Sequence, residues 1–129
     1  MIALDLDLMP GAYAIYRWPA GEELPDWVNQ SGFVSVTRTP TELSAVCAVD
    51  SVPAGTVCEG PWRILQVRGP LDLALTGVMA SLAAPLADAA VSMFAISTYD
   101  TDYVLVHSED VERAAHALRS VGHRVFGAP

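Results

Sequence analysis

The chain has 129 residues, 52% hydrophobic and 17% charged, with a mean hydropathy of +0.34 and a formal net charge of -8 from 15 acids against 7 lysines and arginines. That length holds one compact core or two small modules, and so apolar a composition predicts surface buried against a partner chain. The acidic surface excludes nucleic acid and anionic membranes as partners, and no apolar run nears the roughly 18 residues of a membrane helix.

The first segment alternates, with Ile2, Leu4, Leu6 and Leu8 facing one way and Ala3, Asp5 and Asp7 the other, which predicts a half-buried strand. It lacks the basic and apolar regions of an export signal, so a cytoplasmic protein is expected, with Cys47 and Cys58 as reduced, structural thiols. Met9-Pro10-Gly11 is a turn, and an apolar run from Tyr13 to Trp18 ends at Pro19. A loop leads to Leu24–Val28, one helical turn at most, and Gly32 breaks the chain. Phe33–Thr37 and Leu43–Val49 read as strands around the turn Thr39-Pro40-Thr41. The stretch from Asp50 to Gly60 has no periodicity and holds two glycines and a proline, so residues 53–60 are the expected linker.

The second half is more regular. Trp62–Val67 alternates as a strand and stops at Gly69-Pro70. A helix is expected from Thr76 to Ala89, capped by Thr76, with a kink at Pro85, which lacks the donor for the Ser81 carbonyl. Strands Val91–Thr98 and Tyr103–His107 flank a tight turn, and Ser108 is expected to cap a second helix ending at Gly122. His123–Phe126 closes a split βαβ arrangement. Val36–Val46 also aligns without gaps on Ile96–Val106, an offset of 60 residues from Thr41 to Thr101, so the halves read as copies of one module. The expected division is a degenerate module 1–52, the linker 53–60 and a complete module 61–129.

Catalytic patterns are weak. His107, His116 and His123 have no serine or cysteine at a known spacing and read as surface or packing residues. Glu22/Glu23 and Glu109/Asp110 read as a solvated turn and a helix start, and Gly69 and Gly77 are too sparse for a phosphate loop. No enzyme activity, metal or cofactor is expected. Binding chemistry is better supported. Free backbone N–H groups at the helix start Thr76-Gly77-Val78 attract a carboxylate, Gly77 permits close approach, and Asp102 beside a hairpin turn accepts an ammonium. Together they fit an amino-acid zwitterion; a capped helix and an acid closing a turn is the structural alternative.

The run Thr76–Val106, with Ala84-Pro85-Leu86-Ala87, then Val91-Ser92, then Ser97-Thr98-Tyr99-Asp100-Thr101-Asp102-Tyr103, resembles an ACT domain. More narrowly it resembles the tandem-ACT family of the CASTOR arginine sensors and aspartate kinase modules, and Phe33–Pro40 with Glu42 resembles that family's shortened first module. The resemblance implies an α+β fold of two tandem ferredoxin-like βαββαβ modules, the first degenerate, with antiparallel sheets and helices on one face. It implies a non-catalytic sensor, a homodimer acting on a regulated protein partner, with the amino acid held at an ACT–ACT interface. Thr76, Gly77 and Val78 would hold the ligand's polar end, Val91, Ser92 and Met93 would offer edge-strand backbone groups, and Thr98 and Asp102 would line the pocket. The arginine-sensing relatives carry an acid where this chain has Leu75, which makes a smaller or more apolar amino acid as good a candidate as arginine. A pure protein-interaction module with a vestigial site is the alternative.

Overall fold

The computed structural model describes residues 2–30 and 32–127. Its strands are β1 (Asp5–Leu8), β2 (Tyr13–Pro19), β3 (Ser35–Arg38), β4 (Glu42–Ala48), β5 (Glu59–Val67), β6 (Met93–Ser97), β7 (Asp102–His107) and β8 (Arg124–Phe126), and its helices are α1 (Val78–Asp88) and α2 (Val111–Ser120). The chain forms two compact units: a larger one of Met1–Pro10 with Arg63–Pro129, and a smaller one of Gly11–Trp62. Met1, Ala128 and Pro129, termini of the expected 1–52 and 61–129 segments, lie outside the described residues.

In the larger unit the strand order is β8-β1-β5-β7-β6. Both helices pack on one sheet face. Leu4, Leu6, Leu65, Val67, Val104, Val106 and Val125 from the sheet side meet Val78, Leu82, Leu86, Val111, Ala114 and Leu118 from the helices. Burying each such aliphatic side chain contributes about 1.5–3 kcal/mol. This is the βαββαβ arrangement expected for residues 61–129, with one addition. β1 lies between β5 and β8, antiparallel to the first (Leu6 opposite Val67) and parallel to the second (Leu6 opposite Val125). The expected division therefore differs from the observed units, because the first ten residues join the larger one, and the sheet is not purely antiparallel. Alternation specifies that a strand has one buried face, but not which strands it pairs with.

The smaller unit is an antiparallel β3-β4-β2 sheet, with the start of β5 beside β2. A 3-10 turn, Asp26–Gln30, stands where a helix would cover it. This turn buries Val28 against Ala14, Tyr16, Ala45 and Cys47. Trp18 and Trp27 complete the cover, their rings 5.2–6.0 Å from Tyr16 and from each other. The expected linker is shorter than 53–60, since Glu59 and Gly60 already belong to β5.

The two hairpins carry the same turn. In β3–β4, Thr39 N–H donates to the Glu42 carbonyl and Thr39 Oγ1 accepts from Glu42 N–H. In β6–β7, Thr98 N–H donates to the Thr101 carbonyl and Thr98 Oγ1 accepts from Thr101 N–H. The repeat offset is thus 59 residues, Thr39 to Thr98, and the cross-strand registers agree with it (Arg38 opposite Leu43, Ser97 opposite Asp102). The gapless 60-residue alignment placed Thr41 on Thr101; the turn geometry places Thr41 on Asp100.

The helix ends also correct the expectations. α1 begins at Val78, after Gly77 in the left-handed region (φ 84°), and Thr76 is not its cap. A 3-10 turn, Ser108–Asp110, precedes α2, and the buried Ser108 hydroxyl has no partner among the described residues, so Ser108 is not a cap either. Gly122 (φ 100°) does close α2: its N–H bonds the Arg119 carbonyl and His123 N–H bonds the Leu118 carbonyl, a Schellman ending. α1 ends the same way with Ala90, not glycine, at φ 57°.

Helix α1 runs through Pro85, which has no N–H for the Ser81 carbonyl. That carbonyl instead lies 2.8 Å from Nε2 of His123, which is 2% exposed. The other ring nitrogen, Nδ1, accepts from the Leu4 amide at 3.0 Å, so the proton sits on Nε2 and is donated to Ser81. One imidazole ties the approach to β1, helix α1 and the entry to β8 together.

Candidate functional site

A hollow of about 150 Å³ opens in the larger unit where the loop before α1 meets the β6–β7 hairpin. The loop contributes Leu71, Asp72, Leu73 and Leu75, the helix Val78, and the hairpin Ser97 to Asp102. The loop is pinned at both ends. Leu71 N–H donates to the Asp100 carbonyl at 2.7 Å, and Asp72 accepts from Ala74 N–H with its side chain and from Leu75 N–H with its carbonyl. Gly69 precedes it because a Cβ there would lie 3.0 Å from the Asp100 carbonyl oxygen. Beneath the hairpin, buried Thr101 donates its hydroxyl to the Val67 carbonyl at 2.6 Å, fixing the turn to β5.

Acidic and apolar side chains share the hollow. Asp72, Asp100 and Asp102 line it, and no basic residue does. Asp102 is half-buried and accepts from Ser97 Oγ at 2.6 Å through Oδ1; its Oδ2 has no partner among the described residues. Thr98 already donates its hydroxyl to the Thr101 carbonyl. The amide of Val78 is one of those at a helix start without an intrahelical acceptor. Leu73, Leu75 and Tyr99 are 69%, 45% and 81% exposed. Three large apolar side chains left in water around one opening are unusual, since such groups cost free energy there.

Of the residues expected to bind, Val78, Thr98 and Asp102 come together in this hollow. Thr76 and Gly77 adjoin it in sequence without lining it; a Cβ on Gly77 would touch only Ile2, at 3.8 Å, so its glycine serves the positive φ. Val91, Ser92 and Met93 lie at the far end of β6, five residues from Met93 to Thr98, roughly 17 Å along the strand. Val91 is buried in the core, and among the described residues β6 pairs with β7 alone, so these residues flank an open strand edge rather than the hollow. Asp72, Asp100 and Ser97 were not singled out. The hairpin repeat was their available signal, but only the correct offset equates Thr41 with Asp100.

The other reactive groups lie elsewhere. Cys47 is buried, and burial pushes its thiol pKa up, away from the nucleophilic thiolate; Cys58 is exposed and both thiols are free. Burial likewise pushes the Tyr16 phenol up. Among the described residues no three His, Cys, Asp or Glu side chains cluster to hold a metal, and no helix is long and apolar enough to cross a membrane.

A family model described as the ACT domain matches residues 57–120, and a second, for an N-terminal domain, matches residues 11–55. The cytosolic arginine sensor for mTORC1 subunit 1 of Bos taurus is 32% identical over 97 residues; the match covers 67% of this chain and only 30% of that relative. A crystal structure from Agobacterium tumefaciens superposes with a TM-score of 0.91 at 36% identity, covering 98% of this chain and 94% of that one. The regulatory subunit of aspartate kinase from Thermus thermophilus shares the fold, with a TM-score of 0.61 at 10% identity over 89% of this chain and 95% of that one. With a βαββαβ core and these matches, the chain belongs to the ACT-domain family.

Proposed function

We propose that this protein is a non-catalytic sensor that binds an amino acid in the hollow between the α1 loop and the β6–β7 hairpin, the pocket being completed when two copies pair. One observation carries the reading: an acid-lined hollow beside a helix start, ringed by the exposed Leu73, Leu75 and Tyr99. The acids suit the ligand's ammonium, the free amides near Val78 suit its carboxylate, and the exposed apolar side chains suit burial under a second subunit. Pairing along the open edge of β6 would bring the partner's Val91–Met93 segment to the site, the arrangement expected for a homodimer. The relative named as a cytosolic arginine sensor supports amino-acid sensing and a cytoplasmic location.

Thermal shift against the proteinogenic amino acids tests the reading. A true ligand at 100 times its Kd adds about 2.7 kcal/mol of stability, and Asp102→Ala removes the shift. If no amino acid shifts the transition, the sensor reading fails. The exposed Leu73 and Tyr99 then favour a second reading, a protein-interaction module whose ligand site is vestigial.

A further inference from the structure

A larger cavity, of about 290 Å³, lies between α2 and the sheet of the same unit, away from the hollow described above. The cavity is partly open to solvent, with a floor of buried residues and a rim of exposed ones. Leu8, Leu65 and Val125 line its sheet side, and Val111 and Ala115 its helix side. Glu112, His116 and Arg119, four and three residues apart, occupy a single stripe of α2 at its exposed rim.

Three arginines of this unit hold acids. Arg68 holds Asp7 at 2.7 Å, Arg124 holds Asp5 at 2.7 Å and Arg113 holds Asp110 at 3.1 Å. Arg63 and Arg119 instead donate to backbone carbonyls, of Met9 at 3.1 Å and of Val125 at 2.6 Å, and neither makes an ion pair among the described residues. Of these two, Arg119 is the one that lines the cavity, a guanidinium without a carboxylate in a chain with 15 acids. A guanidinium has five N–H donors, and the backbone bond orients the fork while leaving others open.

We propose that this cavity is a second small-molecule site and that it takes a small monocarboxylate with an apolar tail. The carboxylate meets Arg119 and His116, and the tail lies over Leu8, Leu65 and Val125. Glu112 on the same rim repels a second negative charge, which selects a monocarboxylate over a dicarboxylate.

Hexanoate, adipate and hexylamine are the probes, titrated into the full-length protein and followed by amide chemical shifts. Hexanoate moves the amides of α2 and Leu8 saturably, and adipate and hexylamine bind at least about tenfold more weakly. Arg119→Gln weakens hexanoate by about tenfold or more, the usual effect of losing a hydrogen bond to a charged group. Ala115→Leu fills the cavity and abolishes binding, its fold being checked by its own unfolding curve. Asp102→Ala leaves hexanoate binding unchanged, so failure of this site is distinguishable from failure of the amino-acid site. No response to hexanoate, equal binding by Ala115→Leu or by Arg119→Gln, or tighter binding of hexylamine overturns the proposal.

Discussion

Replacing His123 tests the inference that its ring stands in for the amide proline lacks. The ring is buried and makes two hydrogen bonds, to the Leu4 amide and the Ser81 carbonyl, partners 119 and 42 residues away in sequence. His123→Ala leaves a buried donor and a buried acceptor unsatisfied, about 1–3 kcal/mol each, and opens a ring-sized space. The total expected is about 3–5 kcal/mol, a large part of the 5–15 kcal/mol typical of a whole domain. His123→Asn keeps an acceptor near the Nδ1 position and loses the donor to Ser81, so about 1–2 kcal/mol is expected. The decisive measurement is a double-mutant cycle by urea unfolding. Pro85→Ala restores an N–H four residues after Ser81, so in that background His123→Asn costs about 1 kcal/mol less than in the parent. Costs that add to within about 0.3–0.5 kcal/mol refute the idea that His123 substitutes for the proline amide.

Ala90→Gly stabilises by about 0.5–1 kcal/mol in denaturant unfolding, because a non-glycine residue at φ 57° costs about 1–2 kcal/mol, partly offset by glycine's greater unfolded entropy. Thr101→Val, nearly isosteric, removes the donor to the Val67 carbonyl, lowers stability by about 1–2 kcal/mol and loosens the hairpin beneath the proposed ligand site, which amide exchange of Asp100 to Asp102 reports. The hydrogen bonds from Arg124 and Arg68 hold the Asp5 and Asp7 carboxyls below their usual value of 3.8. Their stabilisation is therefore present above about pH 4 and lost as the pH falls through the lower folded values. Asp7→Asn accordingly lowers the melting temperature at pH 7 and does so less and less as the pH falls below 3.8, and high salt shrinks the pH 7 effect, since these pairs face solvent.

Local signals in the sequence carried the succession of elements. Alternation in Leu4–Leu8 and Trp62–Val67, the amphipathic run Val111–Leu118 and the glycine ending at Gly122 depend on near neighbours, and each appears in the structure as a strand, a strand, a helix and a Schellman turn. The acid at Asp102 and a helix start within Thr76-Gly77-Val78 were legible for the same reason, and Asp102 and Val78 do meet in one hollow. Tertiary structure alone decided the rest. It seated β1 between β5 and β8, because period-two alternation names a buried face and not a partner. It shifted the repeat by one residue, because side-chain likeness in a hairpin is weaker than the hydrogen bonds of its turn. It gave His123 its task, since Leu4 and Ser81 become its neighbours only when distant segments of the chain pack together.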